Sequence, residues 1–213
     1  MPLGPGQPPP LDLLLHFADE RFQVIVSAVD AEPDTLPEAI TWLRGAPGRG
    51  RQMNSGARPA TAPWVWFIHA DSVIERSTRR AMTRFCAREE AAIGYCDLKY
   101  LADGPVLTAL NATGANWRSR LLGLPYGDQG LCLPRPWFRH LNGFREDLDR
   151  GEDLDLVVRA RRSGLPVRRT GGRIYTSASR YRECGWLRTT LEHQRASWRL
   201  IRNARSSIGS GDA

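Results

Sequence analysis

His69 and Asp71 close the run Trp64-Val65-Trp66-Phe67-Ile68-His69-Ala70-Asp71-Ser72, where a stretch of large apolar side chains stops abruptly at an imidazole and a carboxylate. Two positions apart, they share one side of the chain if the extended conformation persists. An imidazole and a carboxylate converging at a strand end could hold a divalent cation. Taken alone, the segment also reads as a strand followed by a turn capped by Asp71 or Ser72. A second acidic group stands in Gly151-Glu152-Asp153-Leu154-Asp155-Leu156, after the turn-rich Asn142-Gly143-Phe144-Arg145. Glu152 and Asp153 fall at or near a helix N-terminus, where the dipole and free amides favour negative charge. Such a position serves helix stability, or it holds a general base ionised and aimed at an acceptor proton. The third feature is Gly48-Arg49-Gly50-Arg51-Gln52-Met53-Asn54-Ser55-Gly56-Ala57. A glycine–arginine loop opening a helix offers amides and guanidinium groups to a phosphate. It is not a P-loop, because G-x-x-x-x-G-K-[ST] is absent.

These residues need a scaffold that brings strand ends and helix starts together. The apolar run ending at His69 reads as a buried strand of a parallel sheet, and in open α/β sheets ligands bind just beyond the carboxyl ends of such strands. Further strands are expected over Phe22–Val29, Ile93–Tyr100 and Gly130–Leu133, with one or two short ones over Val167–Tyr175. Helices are expected over Leu11–Phe17, Thr35–Leu43, Gln52–Ala60, Arg76–Arg88, Val106–Leu122 (amphipathic), Asp153–Ser163 (stopped by Gly164-Leu165-Pro166) and Trp186–Arg202. Alternating strands and helices imply an α/β sandwich with a mostly parallel central sheet. Residues 1–10, rich in proline and glycine, are expected to be disordered, residues 11–205 to form one domain, and residues 206–213 to be a flexible tail.

The order of these features is more specific than any one of them. A basic glycine loop, a strand ending in x-x-Asp, then Gly143-Phe144 and Glu152-Asp153 resembles the family 2 glycosyltransferases of the GT-A fold. The likeness is closer to the bacterial radical-SAM/selenodomain-associated branch. Its marks are Gly50-Arg51-Gln52-Met53-Asn54-Ser55-Gly56-Ala57, Phe67-Ile68-His69-Ala70-Asp71-Ser72, Tyr126-Gly127-Asp128-Gln129-Gly130, Gly151-Glu152-Asp153-Leu154-Asp155-Leu156 and Thr176-Ser177-Ala178-Ser179-Arg180. The resemblance implies a Rossmann-type GT-A sandwich and a metal-dependent, inverting transferase that moves a sugar from a nucleotide-diphosphate sugar to an acceptor hydroxyl. Asp71 stands where the last acid of the family's D-x-D holds Mg²⁺ or Mn²⁺ against the donor diphosphate, with His69 at the first position. Asp153 matches the general base, and Glu152 would orient it or the acceptor. Arg49, Arg51 and Asn54 fall to the diphosphate, Asp128 and Gln129 to the acceptor side. The family's opening strand, with its Pro-x-x-Asn-Glu turn, has no counterpart before Leu11, so the usual first strand is expected to be missing. The V-D-D-G-S signature after the second strand is also absent, and Asp30 replaces its base-contacting aspartate only with a register shift of about two residues.

Composition narrows the setting. The chain has 213 residues, 41% hydrophobic and 25% charged, with a formal charge of +7, which suits one globular domain. Its four widely spaced cysteines contain no C-x-x-C pair, which argues against structural zinc and for reduced thiols in the cytoplasm. No apolar run approaches the ~20 residues of a membrane span, and no signal peptide is visible. From Leu156 to Arg205 there are thirteen arginines and two acids, a surface that attracts phosphates. Leu187, Leu191, Trp198 and Ile201 share one face of the last expected helix, with arginines beside it. Core packing, a homodimer contact and peripheral binding at the inner face of a membrane, where a lipid-linked acceptor would lie, are its open readings. Specific nucleic-acid binding lacks any recognised module or stacking motif. The alternative to catalysis is a GT-A-like binding or regulatory protein without turnover.

Overall fold

The computed structural model describes residues 1–88, 90–179 and 181. In chain order the elements are β1 (Pro2–Leu3), α1 (Leu11–Phe17), β2 (Val24–Ala28), β3 (Ile40–Arg44), α2 (Arg49–Ala57), β4 (Trp64–Trp66), β5 (Ser72–Ile74), α3 (Arg76–Cys86), β6 (Ile93–Tyr100), α4 (Thr108–Leu122), a 3₁₀ turn (Gly127–Gln129), β7 (Cys132–Pro134), α5 (Arg135–His140), α6 (Glu152–Arg162) and β8 (Val167–Thr176). Strands β1, β2 and β3 form a wholly parallel sheet with β2 in the middle. The second sheet runs β4-β7-β6-β8-β5 and is mixed: β6 and β8 are parallel, while β7 runs antiparallel to β4 and β6, and β5 antiparallel to β8.

Helices cover both faces, as an α/β sandwich requires. On one side Leu154, Leu156, Val157 and Ala160 of α6 pack with Phe67, Phe138, Phe144, Ile93 and Leu133. On the other, Leu13 and Phe17 of α1 and Met82 and Phe85 of α3 meet Ile68, Cys96 and Ile174. The first six residues of β6, Ile93–Leu98, are all buried, so this strand is the spine of the second sheet. Burying a leucine or valine is worth about 1.5–3 kcal/mol, and α6 commits three such side chains to the core. That packing anchors the helix whose first turn carries Glu152 and Asp153.

Three expectations are corrected. Residues 1–10, expected to be disordered, open with a strand: Pro2 and Leu3 pair with Ser27 and Ala28, and the Met1 ammonium donates to the Ile25 carbonyl at 2.9 Å. A first strand therefore precedes Leu11, though it spans only two residues. The helix expected over Thr35–Leu43 is replaced by β3, in which Ile40, Thr41 and Trp42, good strand formers, pair with Val24, Ile25 and Val26. The apolar run before His69 is strand only to Trp66, and residues 67–71 lie in the connection to β5. The helix expected over Trp186–Arg202 and the tail 206–213 lie outside the described residues.

Candidate active site

The first turn of α6 sets the centre of the site. Gly151 precedes it with φ of 85°, a backbone conformation that favours glycine, and the chain then turns Glu152 and Asp153 inward, both buried. Asp153 Oδ1 accepts the Leu154 N–H at 2.7 Å, and Oδ2 accepts the Gly127 N–H at 2.5 Å. The base candidate is thus tied to its own helix and to the 3₁₀ turn that follows α4.

Arg49 connects this pair to the end of the apolar run. The residue opens α2, three positions before the expected helix start, so Arg49 and Arg51 belong to its first turn. The Arg49 Nε lies 3.1 Å from Glu152 Oε1, an ion pair, and Nη2 lies 3.7 Å from Asp153 Oδ2. The same Nη2 is 2.5 Å from His69 Nε2. Burial first, and the Arg49 charge second, hold the His69 imidazole well below its ordinary pKa, so the ring is neutral and receives the guanidinium N–H. Burial and the Asp153 carboxylate push Glu152 upward, partly offset by Arg49. One guanidinium therefore serves three acid or imidazole groups from separate stretches of sequence.

Asp128 completes the cluster. It is half-buried, and its pKa is pushed up to about 6, chiefly by burial, with Asp153 and Asp71 adding to the rise and Arg118 and Arg49 opposing it. Asp128 Oδ1 and Arg118 Nη2 are each buried without a hydrogen-bond partner among the described residues. Arg118 is itself fixed, its Nε donating to the Leu124 carbonyl at 3.0 Å and its guanidinium stacked 3.5 Å from the Tyr126 ring centroid. The sequence carried no local signal for Arg118, since its partner Tyr126 lies beyond the end of α4.

Other expected site residues have structural employment. Gln129 is fully buried, and its amide is spent: Oε1 accepts from Ser119 Oγ at 2.6 Å and from the Tyr126 N–H at 3.2 Å, while Nε2 donates to the Cys96 carbonyl at 3.1 Å. It fastens α4, β6 and the 3₁₀ turn together instead of lining an acceptor pocket. The Asn54 amide is likewise committed. Its Nδ2 donates to the Phe144 carbonyl and to Glu146 Oε1, each at 2.9 Å, and its Oδ1 accepts the Phe144 N–H at 2.9 Å. Arg51 joins the same loop through Glu146 Oε2 at 3.3 Å. Arg159 holds the neighbouring stretch from α6, donating to the Gly143 carbonyl at 2.7 Å and to the Leu141 carbonyl. The loop that leads to Asp153 is thus clamped from both sides. Asp30, just past β2, accepts the Gly6 N–H at 2.7 Å.

Asp71 stands on the exposed connection between β4 and β5, one oxygen accepting from Thr176 Oγ1 at 3.1 Å. His69, expected beside it as a metal ligand, is engaged by Arg49, whose charge opposes a cation at that ring. Among the described residues no three His, Cys, Asp or Glu side chains converge as a metal cage. Asp71 alone fits the remaining pattern, a single carboxylate that shares a hard cation with phosphate oxygens.

No family model matches the sequence, and no curated protein matches it. The fold does match solved structures. S. aureus TarS superimposes over 84% of this chain and 36% of its own, with a TM-score of 0.60 and 14% identity. TarS 1–349 in complex with UDP-GlcNAc matches over 83% of this chain and 57% of its own, with a TM-score of 0.56 and 13% identity. The mannosyltransferase PcManGT from Pyrobaculum calidifontis, in complex with GDP-Man and Mn²⁺, matches over 76% of this chain and 50% of its own, with a TM-score of 0.50 and 16% identity. The chain spans less than two thirds of the length of each. The fold is GT-A-like, an α/β architecture shared with these solved structures.

Proposed function

We propose that this chain is a metal-dependent, inverting glycosyltransferase of the family 2 type, akin to the radical-SAM/selenodomain-associated branch, acting on a nucleotide-diphosphate sugar. The observation that carries the reading is the convergence of Arg49, His69, Glu152, Asp153 and the Gly127–Asp128 turn from four separate segments. Support comes also from the fold, since TarS is solved with UDP-GlcNAc and PcManGT with GDP-Man and Mn²⁺.

In this reading Asp153 takes the proton of the acceptor hydroxyl while the acceptor oxygen bonds to the anomeric carbon and the bond to the leaving diphosphate breaks. Each Asp153 oxygen spends one lone pair on a backbone N–H and keeps another for the acceptor. Glu152, buried beneath Arg49, orients that guanidinium. Arg49 and Arg51 offer donors to the diphosphate. Asp71 would hold Mn²⁺ or Mg²⁺, which when bound neutralises charge on the departing diphosphate. Asp128, next to the Gly127 amide bonded to Asp153, is assigned to the acceptor side. A lipid-linked acceptor suits the basic surface of the chain.

A second reading, a GT-A-like binding protein without turnover, is favoured by Asp30. Its carboxylate is engaged by the Gly6 amide instead of standing open for a nucleobase. Calorimetry of UDP and GDP, with and without Mn²⁺, separates the cases. Metal-dependent binding by the wild type that disappears in Asp71→Ala is expected of the transferase. Absence of binding to either nucleotide by folded protein would overturn it.

A further inference from the structure

The sequence suggests an amphipathic helix over Val106–Leu122, but α4 has no marked segregation of polar from apolar residues. The large apolar side chains it carries turn outward, the wrong way for a helix that only stabilises its own domain. Its inward side is small and polar. Thr108, Ala112 and Ser119 are buried, and Asn116 accepts the Leu98 N–H at 2.8 Å and donates to the Leu98 carbonyl at 3.0 Å. Its outward side, with the residues that lead into it, carries Val106 at 91% exposure, Leu110 at 61%, Trp117 at 60% and Leu121 at 70%, joined by Leu107 and Leu122. These six belong to the nine large apolar side chains exposed among the described residues, so the exposure is concentrated on one element. Leu107, Leu110, Trp117 and Leu121 follow the helical spacing of a single stripe.

The rim of this stripe is basic. Arg161 and Arg162 are exposed beyond its C-terminal end, with Arg161 donating to the Leu122 carbonyl at 2.6 Å. Lys99 is exposed on the strand beneath, and Arg120 and Arg169 together enclose the single buried carboxylate of Asp97. The acid nearest the N-terminal end, Asp103, is engaged by Ser177 Oγ and the Ala178 N–H. A second copy docked on this face would bring the same cations against one another, whereas anionic headgroups complement them. Leucines with a tryptophan, edged by arginine and lysine, match a surface that lies in the headgroup region of a bilayer.

We propose that the outer face of α4 docks on an anionic lipid surface. No helix among the described residues is long and apolar enough to cross a membrane, so the contact is peripheral. Its position has a consequence for the site. From Leu122 the chain runs through Gly123–Tyr126 into Gly127, the residue bonded to Asp153. Docking through α4 would thus engage the helix whose C-terminal end leads into the turn that holds Asp153. The surface itself stands independently of the proposed activity.

The test is co-sedimentation of the full chain with phosphatidylcholine vesicles, with and without phosphatidylglycerol, alongside sedimentation velocity without lipid. The wild type is expected to bind the anionic vesicles, less tightly as salt rises, and to stay monomeric. The double variant Leu110→Glu, Leu121→Glu, and separately Trp117→Ser, should weaken binding about tenfold or more with unchanged thermal unfolding. Equal binding of wild type and variants, equal binding to neutral vesicles, or no binding would overturn the proposal. So would a wild-type dimer that the double variant dissociates, which would assign the face to a second copy.

Discussion

Gly127 donates its backbone N–H to Asp153 Oδ2 at 2.5 Å, in a space that excludes any side chain at position 127. A Cβ there would lie 2.7 Å from Arg49 Nη2, 2.8 Å from Asp153 Oδ2 and 3.0 Å from His69 Nε2. The glycine is required by this approach and not by backbone conformation. Gly127→Ala must push apart the three groups on which the proposed chemistry depends. A displacement near 1 Å is expected to cost about a hundredfold in transfer rate, with little change in melting temperature. Turnover of a nucleotide-sugar donor measured beside a thermal melt checks both halves, and near-normal turnover would show that the cluster is not the reacting centre.

Asp153→Asn keeps the shape of the side chain but removes the proton acceptor. It also sets an amide NH₂ against one of two backbone N–H groups, which costs about 1 kcal/mol or somewhat more. The variant should therefore fold, with a slightly lower denaturation midpoint, while transfer falls by roughly 10²–10⁴. Retention of most of the activity would pass the role of base to another carboxylate, with Asp128 first in line by position.

For Asp128 the expected effect is a pH-dependent cost to folding. Its pKa is raised to about 6 in the fold, so between its ordinary value near 4 and about 6 the native state binds more protons than the unfolded one. Stability is undiminished below that window, falls as pH rises through it, and stays lower above. Discounting for half-burial, the loss is roughly 2 kcal/mol at neutral pH. Asp128→Asn should remove that slope, making the protein more stable than wild type at pH about 7.5 and indistinguishable near pH 4. Urea denaturation of both proteins across this range reads the difference, and parallel curves would refute it.

Gln129 gives the opposite kind of prediction, because its amide is structural. Gln129→Leu leaves the Cys96 carbonyl and the Tyr126 N–H without their buried partner, at about 1–3 kcal/mol each. A loss of about 3–5 kcal/mol is expected, a large part of the stability of a domain this size. Equilibrium unfolding in urea measures it. A shift below 1 kcal/mol, in units of ordinary surface substitutions of about 0.5 kcal/mol, would place Gln129 back among ligand-binding residues.

The contrast between Gln129 and Asp153 marks what the sequence could disclose. Long periodic elements were legible: α1 and β6 fall where the pattern puts them, and α6 starts one residue before its expected position. So was the pairing of Glu152 and Asp153 with a helix start. Asn54 and Gln129 have the right chemistry for ligand binding, but partners at Phe144 and Cys96 absorb their amides, and no local pattern reports contacts that distant in the chain. The shared face of His69 and Asp71 rested on two-residue periodicity, which lapses once β4 ends at Trp66. For α4 the helix was legible but the amphipathic reading was not upheld, since its polar and apolar residues are scarcely segregated and its large apolar side chains turn outward.

Arg49 is where these separate contributions meet, and its substitution by lysine tests whether a positive charge alone suffices. A guanidinium reaches Glu152, Asp153 and His69 at once because its nitrogens are fixed in a plane. A lysine ammonium, a point charge on a flexible stem, can serve one of them well. Arg49→Lys should leave Glu152, which is 2% exposed, less well compensated, and its carboxyl should rise further as a result. Nucleotide affinity is expected to fall about tenfold. Calorimetry with UDP and GDP reads the first effect, and NMR titration of the Glu152 carboxyl the second. If lysine restores both, the site needs charge and not the shape of the guanidinium, and the bridging role assigned to Arg49 fails.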